Sequence, residues 1–303
     1  MTQRWRKLGP VVGPDGRTLL RAMLPTPFRL ADGRLRLYYA ALDADMIGRV
    51  AFVEIDPSRP TVAHAVSPRP ALDIGAPGHF DDNGVIPSAA VERGDGVHLY
   101  YVGFQKQTRI PYTMLAGLAV SGDGGVTFQR AATTPLLERS TEEPFFRAVP
   151  WPLSGPSGWR MWYIGGGEWL DGGGGRLLPS YRLRTLTSAD GRSWPGPGTD
   201  CLAPVGEEIG FGRPCVVPGA EGYRLWYSIR TRRGYRVSYA ESPDGRSWRR
   251  LDEQLELGPP LAGFDDEMTC YSAVVAHDER LIMYYNGNGY GRSGIGVAVL
   301  EAD

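Results

Sequence analysis

The sequence predicts an all-β fold, a single five-bladed β-propeller spanning residues 1–303, and three observations point to it. An apolar strand ending in an aromatic pair recurs five times, around Tyr38, Tyr100, Trp162, Trp226 and Tyr284, at intervals of 62, 62, 64 and 58 residues. A short β-prone run precedes each copy and a further strand follows it. Helical periodicity is scarce, and 41 glycines with 25 prolines punctuate the short strands.

Local chemistry accounts for each element. The copies read RLRLYYAAL, VHLYYVGF, RMWYIGGG, RLWYSIR and LIMYYNGN. Neighbouring aromatics on one strand point to opposite faces of its sheet, so both faces need cover. Stacking sheets radially provides that cover and leaves only short edges. Three turns, Ser121 to Phe128, Ser188 to Trp194 and Ser242 to Trp248, place Asp and Gly at hairpin positions. The first resembles the Asp-box turn of sialidase-like propellers, and the closing aromatic of each is expected between blades. The last copy is followed by one strand only, GIGVAVLEAD, while the N-terminal QRWRKLG resembles the outer-strand start SWRRLDE. The stretch around Trp5 is therefore expected to complete the last blade and remove an open edge.

With 42% hydrophobic residues the chain can bury a sizeable core, and a formal net charge of -1 argues against nucleic-acid or membrane-surface partners. Cys201, Cys215 and Cys270 are an odd count at wide spacings, unlike a disulfide framework or a zinc site. No apolar run suits a signal peptide or a membrane helix, so a cytoplasmic location is expected.

Charge gathers where the chain enters each innermost strand. Blade two is entered through His79, Asp81 and Asp82, and blade three through Glu142, Glu143 and Arg147. Blade four is entered through Glu207, Glu208 and Arg213, blade five through Asp265, Asp266, Glu267 and Tyr271, and blade one offers Arg21. These segments share a face with the loops between second and third strands, which carry Gln105, Lys106, Trp169, Asn286, Asn288 and Tyr290. A glycine-rich flap, GGGEWLDGGGG, lies there too. Crowded carboxylates repel one another, which raises some pKa values and suits general acid and base work. Asp and Glu also cap turns at such entrances.

Asp82, Glu143 and Asp266 are the leading acid or base candidates. Arg21, Arg147 and Arg213 suit a phosphate, carboxylate or nucleotide-sugar group. His79, Asp81, Glu208, Glu267, Tyr271, Asn286 and Asn288 complete the expected binding site. No metal-ligand spacing and no cofactor motif stands out, so neither is expected, and the expected partner is a small sugar or sugar phosphate.

Inter-blade acids in five β-blades resemble the five-bladed glycosidase clans, including glycoside hydrolase families 32, 43, 68 and 130. The phrases FDDNGV, EPFFRA, RPCVV, FDDEM and YNGNGYG make the chain similar, over nearly its whole length, to an uncharacterised glycosidase-like propeller group of bacteria. The resemblance implies three carboxylates on separate inner strands: a base or nucleophile, a pKa-tuning acid and a proton donor. In family 43 the base is an Asp directly before Pro at the start of blade one. Here that position reads Leu24-Pro25, with no acid between Asp15 and Asp32. The resulting expectation is an intracellular glycoside hydrolase or phosphorylase acting on a small anionic sugar compound. A sugar-nucleotide or natural-product tailoring enzyme and a non-catalytic sugar-binding propeller are the alternatives.

Overall fold

The computed structural model describes residues 2–17 and 19–301, and its regular structure is nearly all β. Strand β1 (Gln3–Val12) comes first. Four successive antiparallel groups follow. They are β2–β5 (Arg21–Arg29, Leu35–Leu42, Gly48–Ile55, Ala63–Val66) and β6–β9 (Val85–Arg93, Gly96–Lys106, Tyr112–Ser121, Gln129–Arg130), then β10–β13 (Arg147–Gly155, Gly158–Asp171, Leu177–Ser188, Thr199–Leu202) and β14–β17 (Gly210–Gly219, Gly222–Thr231, Gly234–Ser242, Arg249–Arg250). The last group holds β18 (Leu255–Leu257), β19 (Cys270–His277), β20 (Arg280–Asn286) and β21 (Ile295–Leu300). A single parallel bridge between Arg147 and Leu115 joins the second and third groups into one sheet. The innermost strands of the five groups, β2, β6, β10, β14 and β19, pack against one another in a closed cycle. Among the described residues no helix is long and apolar enough to cross a membrane.

The N-terminal strand does join the last group. β1 runs antiparallel to β21, pairing Trp5 with Leu300 and Lys7 with Ala298, and its other edge pairs in parallel with β18. Trp5 is buried edge-on against Trp226, with ring centroids 6.1 Å apart. Gln3 Oε1 accepts from both indoles, at 3.2 Å from Trp5 and 3.1 Å from Trp226. A buried ion pair, Lys7 to Asp265 at 2.7 Å, ties the strand to the segment entering β19.

The aromatic pairs split between two tasks, as their opposite faces require. The first members reach the next group's turn: Tyr38 donates to the Gly125 carbonyl (2.6 Å), Tyr100 to Gly191 (2.7 Å) and Trp162 Nε1 to Gly245 (2.9 Å). The second members turn back to a carboxylate: Tyr101 to Asp81 (2.9 Å), Tyr163 to Glu143 (2.6 Å), Tyr227 to Asp252 (2.8 Å) and Tyr285 to Asp265 (2.8 Å).

The Asp turns are held by backbone donors. Ser193 and Arg192 N–H groups bond Asp190, and Ser247 and Arg246 N–H groups bond Asp244, bringing both carboxyls down to about 2. That lies below the unfolded value of about 3.9, so their stabilisation is complete above that pH and is lost as pH falls through 2. Asp190→Asn should therefore lower the melting temperature at pH 7. The gap to the parent should close as melts are repeated towards pH 2, and a constant gap would refute the account.

Candidate functional site

Every inner strand carries a register irregularity at the same place. It falls between Met23 and Thr26, Pro87 and Ala89, Ala148 and Trp151, Gly212 and Cys215, and Cys270 and Ala273. In four of them the irregularity holds a non-glycine residue at positive φ: Leu24 at 50°, Val149 at 53°, Arg213 at 33° and Tyr271 at 54°. Such a conformation costs on the order of 1–3 kcal/mol and persists only where surrounding structure enforces it. Proline follows Leu24, Ile86, Val149 and Arg213, consistent with a bulge where a ladder N–H is not needed. Bulges re-aim side chains, and here Leu24, Ile86, Val149, Arg213 and Tyr271 all line one cavity of about 520 Å³.

Arg213 dominates the cavity's inner end. It projects from β14, yet its Nη2 donates to Thr26 Oγ1 on β2 (3.2 Å) and to the Ser88 carbonyl on β6 (2.9 Å). Its guanidinium also lies 5.3 Å from the Trp151 ring on β10, so one side chain bridges four inner strands. It is fully buried, and neither Nε nor Nη1 has a hydrogen-bond partner. Among the described residues no carboxylate pairs with it. Burial pulls its pKa down to about 10, which leaves it cationic at neutral pH.

Tyrosines and further cations form the wall and the rim. Arg230 lies between Tyr181 and Tyr235, 5.4 and 5.7 Å from their ring centroids, with Nη1 donating to the Pro179 carbonyl at 2.9 Å. The hydroxyls of Tyr112 and Tyr181 meet at 2.9 Å, and Tyr235 packs against Tyr271 and Tyr290. Burial raises the pKa of Tyr181, Tyr235 and Tyr271, so these phenols stay neutral. Arg21, Lys106 and Arg176 also line the cavity; Arg21 donates to the Gly289 carbonyl and Lys106 to that of Asp45. The cavity thus has five cationic side chains and, among the described residues, no carboxylate.

The expected acids lie outside the lining of this cavity. Asp81 is buried beneath Tyr101 and Arg130 Nε (2.7 Å). Glu143 is 1% exposed. Its Oε1 meets Tyr163 (2.6 Å) and Arg184 (3.3 Å), and its Oε2 meets the Gly198 N–H (3.0 Å) and Arg147 (3.1 Å). Two hydrogen bonds, from Tyr163 and the Gly198 N–H, and two ion pairs, with Arg184 and Arg147, thus surround its buried carboxylate. Arg147 spends its other nitrogens on the Glu138 and Gly196 carbonyls and does not line the cavity, so the three expected arginines share no cleft. Glu208 is forked onto Arg250 at 2.5 and 2.8 Å.

Asp82, Asp266, Glu267, Asn286 and Asn288 also lie outside this lining. Asp82 accepts from the Gly78 N–H, and Asp266 accepts from Asn288 Nδ2, which with the Gly263 N–H lowers its pKa. Asn288 Oδ1 caps the Glu267 and Met268 N–H groups, while Glu267 itself is exposed. Asn286 cross-links the last group to the first through the Leu24 N–H and the Ala22 carbonyl. His79 is half-buried, outside the cavity lining, and Trp169 packs on Phe146 at 5.3 Å. Of the expected site residues, only Arg21, Arg213 and Tyr271 line the cavity, joined by Lys106 and Tyr290 from the loops.

Sequence reasoning missed Arg230, Tyr112, Tyr181 and Tyr235. The three tyrosines shared a signal, a tyrosine two residues before an apolar position on the third strand, in Tyr112-Thr113-Met114, Tyr181-Arg182-Leu183 and Tyr235-Arg236-Val237.

No family model matches the chain. Two uncharacterized proteins of Mycobacterium tuberculosis, MT1551 (strain CDC 1551 / Oshkosh) and Rv1502 (strain ATCC 25618 / H37Rv), are each 33% identical to it over 306 residues, covering 98% of this chain and 99% of theirs. Among solved structures it is similar to a BT0996 RGII complex (TM-score 0.78, 17% identity, 99% and 93% of the two chains). It is also similar to a thermostable family-43 glycoside hydrolase (0.67, 14%, 96% and 91%) and to a structure from the GH130 family of mannoside phosphorylases (0.71, 14%, 99% and 94%). At such identities the structural likeness carries the fold alone. The chain belongs to one family with these two uncharacterized mycobacterial proteins.

Proposed function

We propose that the chain is one five-bladed propeller domain whose axial cavity binds a small anionic sugar compound, and that any chemistry there runs without a carboxylate pair. The closed cycle of five inner strands supports the blade count, and β1 acts as the outer strand of the last blade. The observation that carries the functional reading is the buried, carboxylate-free Arg213 in a cavity lined by cations and tyrosines. An unpaired buried guanidinium is costly unless an anion shares its site. Tyr290, 38% exposed at the rim, offers an aromatic face to a sugar ring, and the Tyr235 and Tyr271 hydroxyls suit its polar groups.

Hydrolysis and phosphorolysis by paired acids find no support in this cavity, because all five bulge positions are non-acidic. Of the readings open at the outset, the sugar-binding propeller fits best. Titration calorimetry with glucuronate, glucose 6-phosphate and glucose tests it. The anionic sugars should bind and glucose should not. Arg21→Ala should cost about 1.5–3 kcal/mol of that binding, the usual worth of a charged hydrogen bond. Glucose binding as tightly as the anions would overturn the reading.

A further inference from the structure

Resting on that reading, we infer that the anion is a phosphate ester rather than a carboxylate, held between Arg213 and Arg230 with the sugar towards the rim. Three features of the cavity converge on this ligand class.

The first is the shape of the free donors on Arg213. A guanidinium grips a planar carboxylate through a fork of two parallel N–H bonds, and both of its forks include Nη2. Here Nη2 is already committed to Thr26 and Ser88, so only Nε and Nη1 remain, and they do not form a fork. Single N–H contacts from different directions suit the three oxygens of a phosphate.

The second is adjacency. Gly212, beside Arg213, lies so close to Tyr235 that an added Cβ would sit 3.0 Å from the ring. Arg230 lies against that same ring, 5.7 Å from its centroid. The backbone beside Arg213 and the Arg230 guanidinium therefore border one ring, from different strands, and both arginines line the same cavity.

The third is charge. Arg21, Lys106, Arg176, Arg213 and Arg230 make no ion pair with a carboxylate among the described residues, in a concave site that focuses their field. One negative charge compensates little of this. A phosphate monoester carries about -1.5 to -2 at neutral pH and compensates more.

Calorimetry on the full chain at fixed ionic strength, with inorganic phosphate, glucose 6-phosphate, glucuronate and glucose as probes, tests the inference. Glucose 6-phosphate should bind at least about tenfold tighter than glucuronate, with inorganic phosphate competing. Its affinity should rise between pH 5 and pH 7, as the ester passes its second ionisation near about 6. Glucuronate affinity should stay flat over that range. Arg230→Met should remove the preference for phosphate. Should that variant not fold, as judged by circular dichroism, the pH profiles of the parent protein decide alone. Glucuronate binding as tightly as the phosphate ester, or parallel pH profiles, would overturn the phosphate assignment and leave the anionic-sugar reading standing. Glucose binding equally well, or no probe binding, would overturn both.

Discussion

Deleting residues 2–12 is expected to leave a chain that does not fold stably. The segment supplies all of β1, which lies between β21 and β18. Loss of Trp5 alone empties a fully packed site against Trp226, and large-to-small changes of that kind cost about 3–5 kcal/mol. Loss of Lys7 strands the fully buried Asp265 carboxylate with only neutral donors, and breaking a buried pair on one side costs a similar 3–5 kcal/mol. Together these approach or exceed the roughly 5–15 kcal/mol by which domains are usually stable. The exposed edge of β21 also becomes a template for aggregation. Thermal melts of the truncated chain, Trp5→Ala and Lys7→Met would check this. A truncated protein melting within a few degrees of the parent would refute closure by β1.

Glu143→Gln is expected to destabilise the protein by about 3–5 kcal/mol, by breaking a buried charge cluster that includes Arg147 and Arg184. The amide keeps the shape but presents an NH2 group to donors that need an acceptor. Asp266→Asn, at an exposed carboxylate, should shift stability by no more than about 0.5 kcal/mol. Urea denaturation separates the two variants. The opposite outcome, with Glu143→Gln fully stable and unable to bind an anionic sugar, would return Glu143 to the ligand and overturn its framework role.

The two residues also show why charge at the blade entrances misleads as a guide to the site. At four entrances the sequence places paired or neighbouring acids, and each entrance commits at least one of them to the framework. Asp81, Glu143 and Asp265 accept from a second-strand tyrosine, Glu208 takes Arg250, and basic residues on third and outer strands complete the clusters. From sequence alone, a carboxylate clamp and a catalytic carboxylate are the same residue type at the same place.

What the sequence determined by itself is the part of the protein written as repetition. Five aromatic-paired strands, three Asp turns and an N-terminal strand matching an outer strand are local patterns, and period-two alternation with hairpin chemistry converts them directly into sheets. What only the tertiary structure decided is which side chains face the cavity. That choice rests on a bulge in each inner strand, which shifts the alternation by one residue and turns Leu24, Val149, Arg213 and Tyr271 through a left-handed φ towards the cavity. A one-residue shift leaves almost no mark in composition or periodicity, yet it exchanges the two faces of a strand. Arg213 meets Thr26 and Ser88 across 187 and 125 residues of chain, and only closure of the ring brings them together.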